Sequence, residues 1–316
     1  MNVRRITRGW MRALVGVLVC ASVGAQKASA QRPRQGLLSL DDARLFYEVV
    51  GTGDPIIVVH GGPGLDHSYL QPGLNVLAQR NTLVYYDQRG TGRSTADLVP
   101  SAINLDAFVE DIDALRQALG YERVDVLGHS FGALIAMAYA LKHPESLRTL
   151  ILMNPVEPGS RYSEQLAQRQ ASRRTAEDST QLAELTSSEG FAARDPATVS
   201  EVYRIAFRQS LRDRTRIDDL NLDLMESTAK NGGEVGRLLG ESMGEIDWWD
   251  DLPRISAPTL VLHGRYDLTP QAMSQALANA IPLGRMVLLQ SGHFPFMEDS
   301  DGLLSAIQAF YVDLSR

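Results

Sequence analysis

The chain has 316 residues, 44% of them hydrophobic and 22% charged, a balance that excludes a disordered or fibrous protein. Its length allows one large α/β domain or two average ones, and no internal repeat or low-complexity tract stands out. With 31 basic and 38 acidic residues the net charge is −7, a sign that repels phosphate backbones and sets nucleic acid aside as a partner.

Residues 1–30 read as a secretory signal peptide. Arg4, Arg5, Arg8 and Arg12 form a positive start, Ala13 to Gly24 an apolar run, and Ala28-Ser29-Ala30 a small-x-small cleavage site. An apolar run of 12 residues is too short to span a bilayer core of roughly 30 Å, so no stable membrane insertion is expected after cleavage near Ala30. The protein is therefore expected to be exported, to a periplasm or the medium. Cys20 follows Val19, which is not the small residue a lipidated cysteine normally follows, so a lipoprotein is not expected. Cys20 is the sole cysteine, so the chain from Gln31 onward has no thiol chemistry and no disulfide. Loss of the leader's five basic residues leaves 26 basic against 38 acidic, a net of −12.

The remaining chain, 31–316, reads as one α/β domain. Leu37–Val50 is predicted to form an edge hairpin. Six short, continuous apolar runs then read as buried parallel strands: Ile56–Val59, Leu83–Tyr86, Val124–Leu127, Thr149–Met153, Thr259–Leu262 and Met286–Leu289. Between the second and third, Leu105, Phe108, Ile112, Leu115 and Leu119 recur at steps of three and four, with Asn104 as N-cap and Gly120 as stop. Leu303, Ile307, Phe310 and Leu314 repeat that spacing near the C-terminus. Strand alternating with helix predicts a mostly parallel central sheet flanked by helices. From about 157 to 247 no buried strand is visible. This polar, helix-permissive stretch is predicted to be an inserted helical lid over the sheet's C-terminal edge, where α/β sheets bind ligands.

Chemistry concentrates at strand ends. Gly128-His129-Ser130-Phe131-Gly132 follows one strand and opens a helix, the context of a nucleophile elbow with Ser130 as nucleophile. A hydroxyl needs a base. His293, in Ser291-Gly292-His293 after the last strand, is free to reach over the serine, whereas His60 and His263 end strands and His129 sits inside the elbow. Asp267 follows the Thr259–Leu262 strand and would orient the imidazole, its bland alternative being a turn or the N-cap of a helix near Pro270. The chain order Ser, Asp, His is that of α/β-hydrolases. His60-Gly61-Gly62-Pro63-Gly64 follows the Ile56–Val59 strand. A glycine N–H there, taken as that of Gly62, would join the Phe131 N–H in an oxyanion hole.

These residues resemble the α/β-hydrolase superfamily along nearly the whole chain after residue 30. His60-Gly61-Gly62-Pro63-Gly64, Asp87-Gln88-Arg89-Gly90-Thr91-Gly92-Arg93-Ser94 and His263-Gly264-Arg265-Tyr266-Asp267 together resemble the proline iminopeptidase family of serine aminopeptidases. The resemblance implies release of an N-terminal residue from a small molecule or short peptide, with no cofactor and no metal. Two features depart from the family. Its usual Gly-Gly-Ser-Trp-Gly is here Gly-His-Ser-Phe-Gly. The aromatic-rich lid segment whose glutamate grips the substrate amine is not found. Asp218, Asp219, Asp223, Glu226, Glu234 and Glu241 are the lid's acidic candidates, with Glu226 and Glu234 assigned to substrate binding. A carboxylesterase or lactonase on the same machinery is the alternative, and a non-catalytic ligand-binding relative the alternative from another class.

Overall fold

The computed structural model describes residues 34–314. The expected signal peptide, its cleavage site and Cys20 lie outside the described residues. Nine strands form one sheet: β1 (Arg34–Ser39), β2 (Ala43–Gly51), β3 (Asp54–Val59), β4 (Asn81–Tyr86), β5 (Thr95–Ala96), β6 (Val124–His129), β7 (Leu147–Met153), β8 (Thr259–Gly264) and β9 (Gly284–Leu289). Their spatial order is β1-β2-β4-β3-β6-β7-β8-β9, with the two-residue β5 paired to β2. β1 and β2 make the expected antiparallel edge. All pairings from β4 through β9 are parallel. Each of the six apolar runs read from the sequence lies inside one of these strands.

The runs are continuous because both faces of the sheet are covered, except at the edge strand β9, where the expected burial is reached only at Leu289 and the rest is half-buried. Successive residues of β3 go to opposite sides. Ile57 and Val59 join one core with Val84 and Val126, while Ile56 and Val58 join another with Leu83 and Leu127. Helix α1 (Gln71–Leu74) precedes β4, and α2 (Leu105–Ala118) and α3 (Phe131–Lys142) flank β6. Phe108, Ile112 and Leu115 of α2 and Leu134 and Met137 of α3 fill the first core. Asn104 caps α2 by accepting the Ala107 N–H at 3.0 Å, and Gly120 ends the helix at φ +76°.

Between β7 and β8 the chain runs through α4 (Ser163–Arg173), α5 (Ala176–Thr186), α6 (Glu189–Ala192), α7 (Pro196–Arg208) and α8 (Glu226–Met243), with no strand among the described residues of that stretch. The two ends of this insertion are tied together. The Trp248 N–H donates to the Pro158 carbonyl at 2.8 Å, and Glu157 accepts from Trp249 Nε1 and the Tyr162 N–H. Inside it, buried Asp178 accepts from Arg208 and Arg214. After β8 come α9 (Gln271–Ala280), then β9, α10 (Pro295–Glu298) and α11 (Ser300–Leu314). Leu303, Ile307 and Phe310 of α11 fill the second core, each such burial contributing about 1.5–3 kcal/mol.

Candidate active site

The turn from β6 into α3 is tight. Ser130 sits at φ 55° and ψ −122°, a conformation that costs a non-glycine residue roughly 1–3 kcal/mol and persists because the surroundings hold it. Its N–H donates to the Met153 carbonyl at 3.0 Å, anchoring the turn on β7. A side chain on Gly132 would come within 2.3 Å of the Val59 carbonyl oxygen, so the helix can start against β3 only with glycine there. The α3 N-terminus is thereby directed at the serine, with its dipole and unpaired N–H groups.

The loops after β8 and β9 complete the arrangement. Ser130 Oγ lies 2.9 Å from His293 Nε2. His293 Nδ1 lies 3.0 and 3.1 Å from the two carboxylate oxygens of Asp267. A carboxylate only accepts, so Nδ1 carries the proton and Nε2 offers its lone pair to the hydroxyl. Asp267 does not cap α9, whose N-cap is Pro270. Burial alone would push the Asp267 carboxyl up. The charge and hydrogen bond of His293 and the amide of Asn154 outweigh it and hold it at about 2. Burial pulls the His293 imidazole down, but the Asp267 charge and hydrogen bond leave it above the usual histidine range. Such a base is strong enough to take a hydroxyl proton and is neutral above its own pKa.

Three unplanned partners hold these loops. Asn154, at φ 46° after β7, donates to Asp267 at 2.7 Å and to the Gly292 carbonyl at 3.1 Å. Glu298 accepts the Gly292 N–H at 2.8 Å. Arg169, on α4, donates to the main-chain carbonyl of Asp267 at 2.7 Å. No periodicity marks these residues in the sequence. The one local signal is Asn154-Pro155 at a strand end, since asparagine tolerates left-handed backbone.

The loop after β3 approaches from the other side. A Cβ on Gly61 would lie 3.0 Å from the Ser130 Cβ. The Gly61 N–H donates to the Tyr69 hydroxyl at 2.8 Å. Among the described residues, no hydrogen bond from the N–H of Gly62 or of Phe131 is present. Both N–H groups are thus left without another acceptor, and that of Phe131 adjoins the serine in the chain.

The lid touches both loops. The His293 N–H donates to the Ser210 carbonyl at 2.9 Å, and Phe207 packs edge-on against Phe294 with centroids 5.5 Å apart. Helix α8 meets the β3 loop backbone to backbone at Gly232 and Gly64. A side chain on either glycine would come within 2.3 Å of the other's carbonyl oxygen.

Residues 54–300 match the family model of the alpha/beta hydrolase fold. The chain belongs to the alpha/beta hydrolase fold family. This hydrolase is 28% identical to the proline iminopeptidase of Heyndrickxia coagulans, over 87% of this chain and 98% of that one. Its fold matches a proline iminopeptidase structure from Mycobacterium smegmatis at a TM-score of 0.68 and 24% identity, covering 89% of this chain and 99% of that one. It also matches a thermophilic esterase from Thermogutta terrifontis at a TM-score of 0.66 and 25% identity, covering 89% and 98%. The resemblance to proline iminopeptidases drawn from the motifs therefore stands.

The acidic candidates of the lid do not converge on the hydrolase's triad. Glu226 and Glu234 lie on the outer side of α8, where they pair with Lys230 at 2.5 Å and Arg237 at 2.6 Å. The reason is the helix's own pattern: Thr228, Ala229, Gly232, Val235 and Leu239 take the inner face and leave the two glutamates to solvent. Glu241 pairs with the same Arg237, Asp219 with Arg216 and Asp223 with Arg204, and Asp218 is exposed. Among the described residues no cluster of three or more His, Cys, Asp or Glu side chains is placed to hold a metal ion, and no helix is long and apolar enough to cross a membrane.

Proposed function

We propose that this hydrolase is an exported serine aminopeptidase or amidase that releases N-terminal residues from small peptides. The observation that carries the serine mechanism is the continuous line from Ser130 Oγ through His293 to Asp267. Ser130 Oγ attacks the substrate carbonyl carbon while His293 Nε2 takes its proton. The carbonyl oxygen becomes an oxyanion held by the N–H groups of Gly62 and Phe131. The tetrahedral centre collapses, the C–N bond breaks, and His293 returns the proton to the departing amine. Water then attacks the acyl-serine with His293 as base, releasing the acid and Ser130. The aminopeptidase preference is supported by the names of the relatives and by the three motifs that resemble the proline iminopeptidase family. Export is supported by the basic-then-apolar leader ending in Ala28-Ser29-Ala30.

A carboxylesterase or lactonase on the same triad is the second reading. It is favoured by the outward placement of Glu226 and Glu234, which removes the expected grip on a substrate amine. A panel of aminoacyl-naphthylamides, the prolyl one included, set against short-chain p-nitrophenyl esters separates the two. Turnover of the esters with none of the amides sinks the aminopeptidase reading. Labelling by a fluorophosphonate, lost in Ser130→Ala, is expected in either case. An unlabelled wild-type enzyme would mean a non-catalytic binding protein.

A further inference from the structure

A second line of hydrogen bonds crosses the site without entering the triad. The Gly61 N–H donates to the Tyr69 hydroxyl at 2.8 Å. That hydroxyl lies 2.8 Å from His129 Nδ1, and His129 Nε2 lies 2.9 Å from the main-chain carbonyl oxygen of His293. The directions follow from chemistry. A carbonyl oxygen only accepts, so His129 Nε2 carries the proton. In the neutral ring Nδ1 then only accepts, so the Tyr69 O–H donates to it. The phenol oxygen is left to accept the Gly61 N–H. All five polar atoms are satisfied by one arrangement. Tyr69 is 4% exposed and His129 1%. Burial, with the neighbouring His293 ring adding to it, pulls the His129 imidazole down to about 3 and keeps it neutral.

We infer that Tyr69 and His129 are positioning residues, forming a relay that locks the oxyanion loop, the serine elbow and the backbone of His293 into one register. His129 adjoins Ser130 in the chain, yet both its nitrogens are engaged elsewhere, so it does not act as a second base. By consuming the Gly61 N–H, Tyr69 also leaves Gly62 as the donor that faces the oxyanion. The relay gives a purpose to the histidine that stands where the resembling family has glycine. Its catalytic consequence rests on the serine mechanism proposed above. The two links through His129 join separate loops whose mutual placement must hold within about 1 Å for the reaction to keep its rate.

Two measurements test it. In the wild-type protein, 15N NMR of the imidazoles is expected to show His129 as the neutral Nε2–H tautomer throughout about pH 5 to 9. An Nδ1–H ring, or a titration in that range, overturns the relay without needing a variant to fold. In Tyr69→Phe and His129→Gln, kcat on p-nitrophenyl acetate is expected to fall about 10- to 100-fold, with KM changed by less than about threefold. The double variant is expected within about threefold of the poorer single one, because both cut the same line. Losses that multiply, losses carried by KM, or an unchanged kcat overturn the proposal. Absence of fluorophosphonate labelling at Ser130 in the wild type would instead strike the functional reading, leaving the tautomer measurement to judge the relay.

Discussion

His293 and Asp267 set each other's ionisation. Protonated His293 cannot accept the serine proton, so kcat/KM is expected to rise with pH through an apparent pKa above the unperturbed 6.5. Because the aspartate supplies the upward shift, Asp267→Asn is expected to move that limb to lower pH and to cut kcat by about 10⁴-fold. Initial rates across the pH range check both, and an acid limb that stays in place in the variant would refute the coupling. The convergence of Ser130, Asp267 and His293 was legible in the sequence because each lies shortly after an apolar strand, and parallel strands deliver their C-terminal ends to one rim. Asn154, Tyr69 and Glu298 were not legible. Their work is done by single hydrogen bonds to residues far away in the chain, and such bonds leave no periodic trace. The sequence holds no physical reason to prefer the Gly62 N–H to that of Gly61, and the Tyr69 hydroxyl, which accepts the Gly61 N–H, supplies one.

Among the elements, the strands and α2 were legible for opposite reasons. Strands covered on both faces become unbroken apolar runs, and an amphipathic helix with a capping asparagine announces both its face and its start. The insertion announced its helical nature but not its orientation. Glu226 and Glu234 are polar residues on a helix whose inner face packs on the rest of the molecule, and one close contact of that face is Gly232 against Gly64, between residues with no sequence relation. That contact yields a prediction. Gly232→Ala adds a methyl where a carbonyl oxygen stands 2.3 Å away, so α8 must lift from the loop after β3. A loss of about 10-fold in kcat is expected, since a small misplacement of a catalytic loop is costly. Gly240→Ala, on the same helix with open space around it, is expected to be neutral or slightly stabilising. Steady-state kinetics and thermal melts of the pair check this, and equal activity in both would show that the close approach is irrelevant to the loop.

Across the whole molecule, buried histidines and buried carboxyls pull the response to acid in opposite directions. Burial lowers the pKa of His60, His129 and His263 below 6.5, so when unfolded each binds a proton that it refuses when folded. Stability from these three is therefore present above about pH 6.5 and is lost as pH falls below it, for His129 down to about 3. His293 works the other way: its raised pKa stabilises the fold below 6.5 and ceases to do so as pH rises through the folded value. Asp267, held at about 2, adds a further loss only below 3.8. Asp111, raised to about 6 by burial, and Glu298, also raised by burial, join His293 in adding stability as pH falls, so the histidine share is read by difference: His263→Gln is expected to lose less of its urea midpoint than the wild type between about pH 7 and about pH 5, and equal losses would refute the assignment. The parallel sheet has a kinetic corollary. Ser130 and His293 lie 163 residues apart, and every strand between them must pair before they meet. Turnover is thus among the last properties a refolding chain recovers, and a half-assembled molecule, however rich in helix, has no means of cutting a substrate.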